Sequence, residues 1–113
     1  MKLITDISQL TPEDVGTVVE VLQLIYDAND EPKVICIRGV YHQTDPLKRT
    51  MIIINRQSPG RYYRHELYTR EGSFPVNGSQ GARTVADEGI AQRCASLLEG
   101  IEMKREVRPE EIK

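Results

Sequence analysis

Two cysteines, two histidines, a pair of glutamates and a run of arginines interleaved with tyrosines hold the chemistry this sequence could perform. Cys36 and Cys94 lie in apolar surroundings, with no CxxC pair and no histidine at metal-ligand spacing beside them, so both read as reduced core residues. A disulfide between them requires an oxidising compartment, and with no secretory signal in the sequence none is expected. Cys36 and His42 as nucleophile and base fail on distance, because an extended strand sets them about 20 Å apart on one face. His42, His65 and Asp45 could meet as a metal or acid–base cluster only if the first and third strands were neighbours, which a meander separates. Glu110 and Glu111 sit in a charged tail where nothing would desolvate them. Gly78-Ser79-Gln80-Gly81 precedes a helical pattern but lacks the Gly-Lys-Ser/Thr of a phosphate loop, and Asp87 and Glu88 already occupy the favourable end of the dipole. No catalytic residue, no metal and no cofactor is therefore expected.

The arginines and tyrosines are the stronger signal. From Lys48 to Arg70 there are six basic residues and one acidic residue, a local balance of +5 in a chain whose net charge is −2. The candidate binding residues are Arg49, Arg56, Arg61, Tyr62, Arg64, Tyr68 and Arg70. Guanidiniums pair with phosphates while phenol rings stack on bases, so the pattern suits a nucleic-acid-binding regulator. The same residue types dominate protein contacts, where they bring large area and planar hydrogen-bonding ends. The acidity of the whole chain disfavours a polyanion and tilts the reading to a protein partner. The plain alternative is a solvated hairpin whose exposed ion pairs are worth about 0–1 kcal/mol each.

Three strand-like segments carry these residues: Lys33 to His42, Arg49 to Arg56 and Arg61 to Arg70, each rich in β-branched or aromatic side chains. Ser58-Pro59-Gly60-Arg61 has type II turn chemistry, so the second and third segments form an antiparallel hairpin. Thr44-Asp45-Pro46 turns the chain between the first two. Alternation groups Tyr62, Arg64, Glu66, Tyr68 and Arg70 on one side of the third strand, the side expected to face solvent. The other two strands are apolar on both sides, which calls for a cover by a loop, the tail or a second chain.

Helices are expected at both ends. Thr11-Pro12-Glu13-Asp14 is a helix start by composition, and Val15, Val18, Val19, Leu22, Ile25 and Tyr26 follow at helical intervals. A strand competes there, because Val18, Val19, Val21 and Ile25 are β-branched and Gly16 weakens a helix; the single polar stripe through Glu20 and Gln23 favours the helix. A second helix is expected from Thr84, with Ile90, Cys94, Leu97, Leu98 and Ile101 as its apolar stripe. Residues 72–83 read as a mobile loop and 104–113 as a frayed, charged tail.

At 113 residues, with 39% hydrophobic and 28% charged side chains and a mean hydropathy of −0.44, the chain suits one domain spanning 1–113. No segment is apolar enough to span a membrane as a helix, and a cytoplasmic location is expected. The expected fold class is α+β: a two-layer α-β-β-β-α arrangement with a three-stranded antiparallel meander and two helices packed on one face. That order resembles, in topology alone, the double-stranded-RNA-binding domain. In that family a lysine-rich helix start grips phosphates. The corresponding stretch here, Ala82-Arg83-Thr84-Val85-Ala86-Asp87-Glu88, has one arginine and two acids, which counts against that activity. The function expected is a small non-enzymatic interaction or regulatory module that binds a protein partner, or itself as a homo-oligomer, through the Arg/Tyr hairpin. The alternatives are a nucleic-acid-binding regulator using the same residues, and a small ligand-binding protein or enzyme with its site between the 72–83 loop and the sheet.

Overall fold

β-Branched and aromatic side chains recur along the chain between Val18 and Tyr68, and the structure turns most of that stretch into strand. The computed structural model describes residues 1–45, 47–69 and 79–111. Seven strands form one mixed sheet: β1 (Lys2–Ile4), β2 (Val18–Tyr26), β3 (Pro32–Asp45), β4 (Thr50–Ser58), β5 (Arg61–Tyr68), β6 (Ser79–Thr84) and β7 (Lys104–Glu106). One α-helix, α1 (Glu88–Leu97), and 3-10 turns at Ile7–Gln9, Pro12–Asp14 and Pro109–Glu111 complete the described elements. The strands run in the order β1 to β6; β1 is parallel to β2, and the other pairings are antiparallel. The long strand β3 pairs with β2 along one edge. Its other edge is shared, with β7 against Ile35–Ile37 and β4 from Val40 onward.

The two-helix, three-strand architecture is thus corrected. Where the helical pattern predicts a first helix, the Thr11 backbone N–H donates to Asp14 Oδ2 at 2.8 Å and closes only one 3-10 turn. Gly16, at φ +83°, then redirects the chain into β2. The β-branched residues decide the outcome, because their stiff χ1 suits a pleated surface better than a helix. The polar stripe that favoured a helix has another origin. Glu20 is buried, 8% exposed, because it meets arginines from β3 and β7.

The meander itself is present as β3, β4 and β5, and the β4–β5 turn places Gly60 at φ +74°, as the Pro-Gly chemistry requires. Residues 79–84, within or beside the expected loop, form β6 against β5, and residues 104–106 of the expected frayed tail form β7. The remainder of that loop, 72–78, lies outside the described residues. The second helix starts three residues later than Thr84, where Asp87 accepts from the Ile90 N–H at 3.0 Å as the N-cap.

Both faces of β3 and β4 are covered from within the chain. On one face Ile4, Val19, Val21, Ile35, Ile37, Tyr41, Met51, Ile53 and Leu67 form a single buried cluster. α1 does not contribute to it, so side chains from β1 through β5 become neighbours by the coiling of the twisted sheet. Gly39 permits this curvature: a Cβ there would lie 3.0 Å from both Ile53 Cδ1 and the Ile54 carbonyl. A bulge between Tyr41 and Gln43 adds to the bend. On the other face α1 lays Cys94 and Leu98 over Val40, Ile54 and Tyr62. The apolar character of both sides of these strands therefore needs no second chain to explain it.

Candidate functional site

Because α1 packs on the face expected to be open, the predicted binding residues divide between core and surface. Tyr62 points under the helix and is 9% exposed. Arg56 is half-buried, and its guanidinium donates to the carbonyls of Leu98 (Nη1, 3.3 Å) and Ile101 (Nη2, 2.8 Å). These carbonyls lie at and just beyond the C-terminal end of α1, where backbone acceptors lack helical partners and the dipole favours a cation. Arg56 thus serves as an intramolecular cap. Arg49 is exposed at φ +55°, and its carbonyl accepts from the Thr69 N–H at 3.0 Å; Arg61 is exposed beside the hairpin turn. Tyr68 is half-buried, and Arg70 lies outside the described residues. Tyr63, half-buried on the opposite side of β5, meets the His65 ring edge-on at 6.4 Å. The tyrosines therefore do not share one stacking platform.

Arg64 keeps an outward role, in company that sequence reasoning missed. It sits directly across from Arg83 of β6, and both are exposed. Among the described residues neither has an ion-pair partner. Like charges facing each other across a ladder repel, so this pair lowers stability unless an anion lies between them. Arg64 also acts on His42 at the β3 bulge, whose imidazole is held below the ordinary histidine pKa first by burial and then by this arginine.

His42 opens onto a groove of about 360 Å³ between α1, the β3–β4 surface and the turn before β2. Its walls are Val15, Val40, Ile54, Ile90, Cys94 and Leu97; apart from the buried Tyr41 and Cys94, its charged or titratable residues are His42 and Arg93. Cys94 is 2% exposed, and burial pushes its pKa up, so it lies in the wall as a small apolar group. The separation of His42, Arg64, Arg83 and Arg93 along the chain hides this assembly from local sequence patterns.

A second charged assembly has a structural task. Glu20 accepts from Arg38 Nε at 2.9 Å, Arg105 Nε at 2.7 Å and Arg105 Nη2 at 3.2 Å. Arg105 also holds Glu111 through two bonds of 2.9 Å, and Arg108 reaches the same carboxylate. Hydrogen bonds from Arg105 lower the pKa of Glu20, and those from Arg105 and Arg108 hold Glu111 well below the carboxylate range. The network ties β2, β3, β7 and the last 3-10 turn together. Cys36, fully buried close to Glu20, has its thiol pushed up to about 11 by burial and then by that carboxylate.

Cys36 and Cys94 are free and buried. His65 is half-buried, its pKa lowered by burial, with its Nε2 2.8 Å from Gln57 Nε2. Among the described residues no group of three or more His, Cys, Asp or Glu is placed to hold a metal ion, and no helix is long and apolar enough to cross a membrane. Comparison with protein-family models, curated proteins and solved structures finds no match for this chain.

Proposed function

We propose that this protein is a small binding module that recognises an acidic protein surface through Arg64 and Arg83. The facing, exposed arginine pair supports this reading most directly: it costs stability in the free protein and becomes favourable when a carboxylate lies across it. A protein partner is favoured over nucleic acid because Tyr62 is buried and Tyr63 lies on the opposite side of β5, which leaves no row of rings for bases among the described residues. The net charge of −2 points the same way.

Arg64→Glu tests the reading. The new carboxylate faces Arg83, so the free protein should gain about 0.2–1 kcal/mol while losing the partner. Affinity capture with wild-type and variant protein, with nuclease present, reads the binding. Polyglutamate retention at low salt supplies a defined acidic probe. Retention of the same proteins by Arg64→Glu would overturn the proposal, as would nuclease-sensitive capture alone. Sedimentation of both proteins shows whether the acidic surface belongs to a second copy of this chain.

A further inference from the structure

The groove beneath α1 has properties that the binding of an acidic protein surface does not use. Half of its lining residues are aliphatic, and two of these, Val15 and Leu97, are 51% and 41% exposed. Exposed apolar side chains beside a hollow are costly in the free protein unless something covers them. Among the described residues no acidic side chain lines the hollow, whereas Arg93 and His42 do, and Arg64 is close enough to act on His42. Among the described residues Arg93 has no ion-pair partner. Its volume of about 360 Å³ falls at the lower end of the range for small-molecule sites, about 300–1,000 Å³.

From this geometry we infer that the groove binds a small apolar carboxylate, with the hydrocarbon body between α1 and β3–β4 and the carboxylate at Arg93 and His42. The arrangement matches what ligand sites generally combine: apolar walls that supply most of the affinity and a few polar groups that fix orientation. An arginine fork presents parallel N–H groups to a carboxylate, which a neutral or cationic head cannot exploit.

The test uses the full chain with straight-chain carboxylates from hexanoate to decanoate, kept below their micellar ranges and followed by methyl and amide NMR shifts. Val15, Ile54, Ile90 and Leu97 should move together. Affinity should rise about fourfold per added methylene until the groove is filled. Decyltrimethylammonium should bind at least tenfold more weakly than decanoate. Arg93→Glu should weaken decanoate at least tenfold, and Val15→Trp should block the groove. Both positions are exposed, so thermal melting should confirm that each variant folds. Two results would overturn the inference: groove resonances that stay fixed throughout the series, or decanoate binding that is unchanged in folded Arg93→Glu. Equal affinity for the ammonium probe would reject the carboxylate assignment.

Discussion

Replacing Glu20 with glutamine removes one negative charge from the centre of the charged network and leaves its shape almost unchanged. Three N–H donors at 2.7, 2.9 and 3.2 Å lose their charged acceptor, and each charge-assisted bond exceeds its neutral counterpart by about 1 kcal/mol. Removing one member of a buried ion pair costs about 3–5 kcal/mol. Two features reduce the loss here. The Arg38 and Arg105 side chains are 20% and 21% exposed, and Arg105 keeps Glu111. A destabilisation of about 2–3 kcal/mol follows, equivalent to about 8–12 °C in Tm for a domain of this size. Urea unfolding with an unchanged m-value gives the measurement, and hydrogen exchange at the β3–β7 pairing should accelerate with it. The pH dependence supplies a second check. The Glu20 carboxyl is lowered in the folded protein, so its contribution is full above the unfolded value of about 4.3 and disappears as pH falls through the folded value. The difference between wild type and Glu20→Gln should therefore shrink in acid. A loss below about 0.5 kcal/mol near neutral pH, in the range of an ordinary surface pair, would refute the assignment of Glu20 as the network's organising charge.

Arg56→Met should lower stability by about 1–2 kcal/mol through loss of the α1 carboxyl-end bonds, while polyglutamate retention stays at the wild-type level; lost retention with unchanged melting would return Arg56 to the binding surface. His42 and His65 are both lowered below the ordinary histidine value, so their contribution is full above about pH 6.5 and declines as pH falls through the lowered folded values. Melting temperatures between pH 7.5 and 5 should show this fall, and His42→Gln with His65→Gln should flatten it; an equally steep wild-type and variant profile contradicts the assignment. Gly39→Ala places a methyl 3.0 Å from Ile53 Cδ1 and the Ile54 carbonyl, and should cost about 1–3 kcal/mol by chemical denaturation; a neutral result would mean that the sheet relaxes there.

Local chemistry made the central strands legible. β-Branched runs place β3, β4 and β5, and Pro59-Gly60 marks the β4–β5 turn, since these signals act within a few residues; Thr44 and Asp45, expected to turn the chain, instead continue β3 and pair with Met51 and Thr50. β2 was misread because the partners of Glu20 are Arg38 and Arg105, 18 and 85 positions away; without them its spacing imitates a helical polar stripe. Ser79–Thr84 contains few strong strand formers, and β6 owes its form to pairing with β5, a tertiary influence that propensity does not carry. Within the candidate surface, Arg64 is legible as one member of a basic hairpin. Arg83, Arg93 and His42 are not, because the β5–β6 pairing that sets Arg83 across from Arg64 and the packing of α1 that brings Arg93 to the same groove as His42 exist only in three dimensions. The placement of Tyr62 reversed for a related reason: alternation separates the two faces of a strand, but it does not say which one a helix will cover.

The divided edge of β3 has a consequence for biosynthesis. Among the described residues, Ile35, Cys36 and Ile37 find their partners on that edge in Lys104, Arg105 and Glu106. At roughly 5–20 residues per second on the ribosome, that interval keeps the segment waiting for roughly 3–13 s. During that time its amides and carbonyls form an adhesive border open to other nascent chains. Yield in cells should therefore depend on chaperone supply and translation speed more steeply than the finished molecule's own stability would suggest.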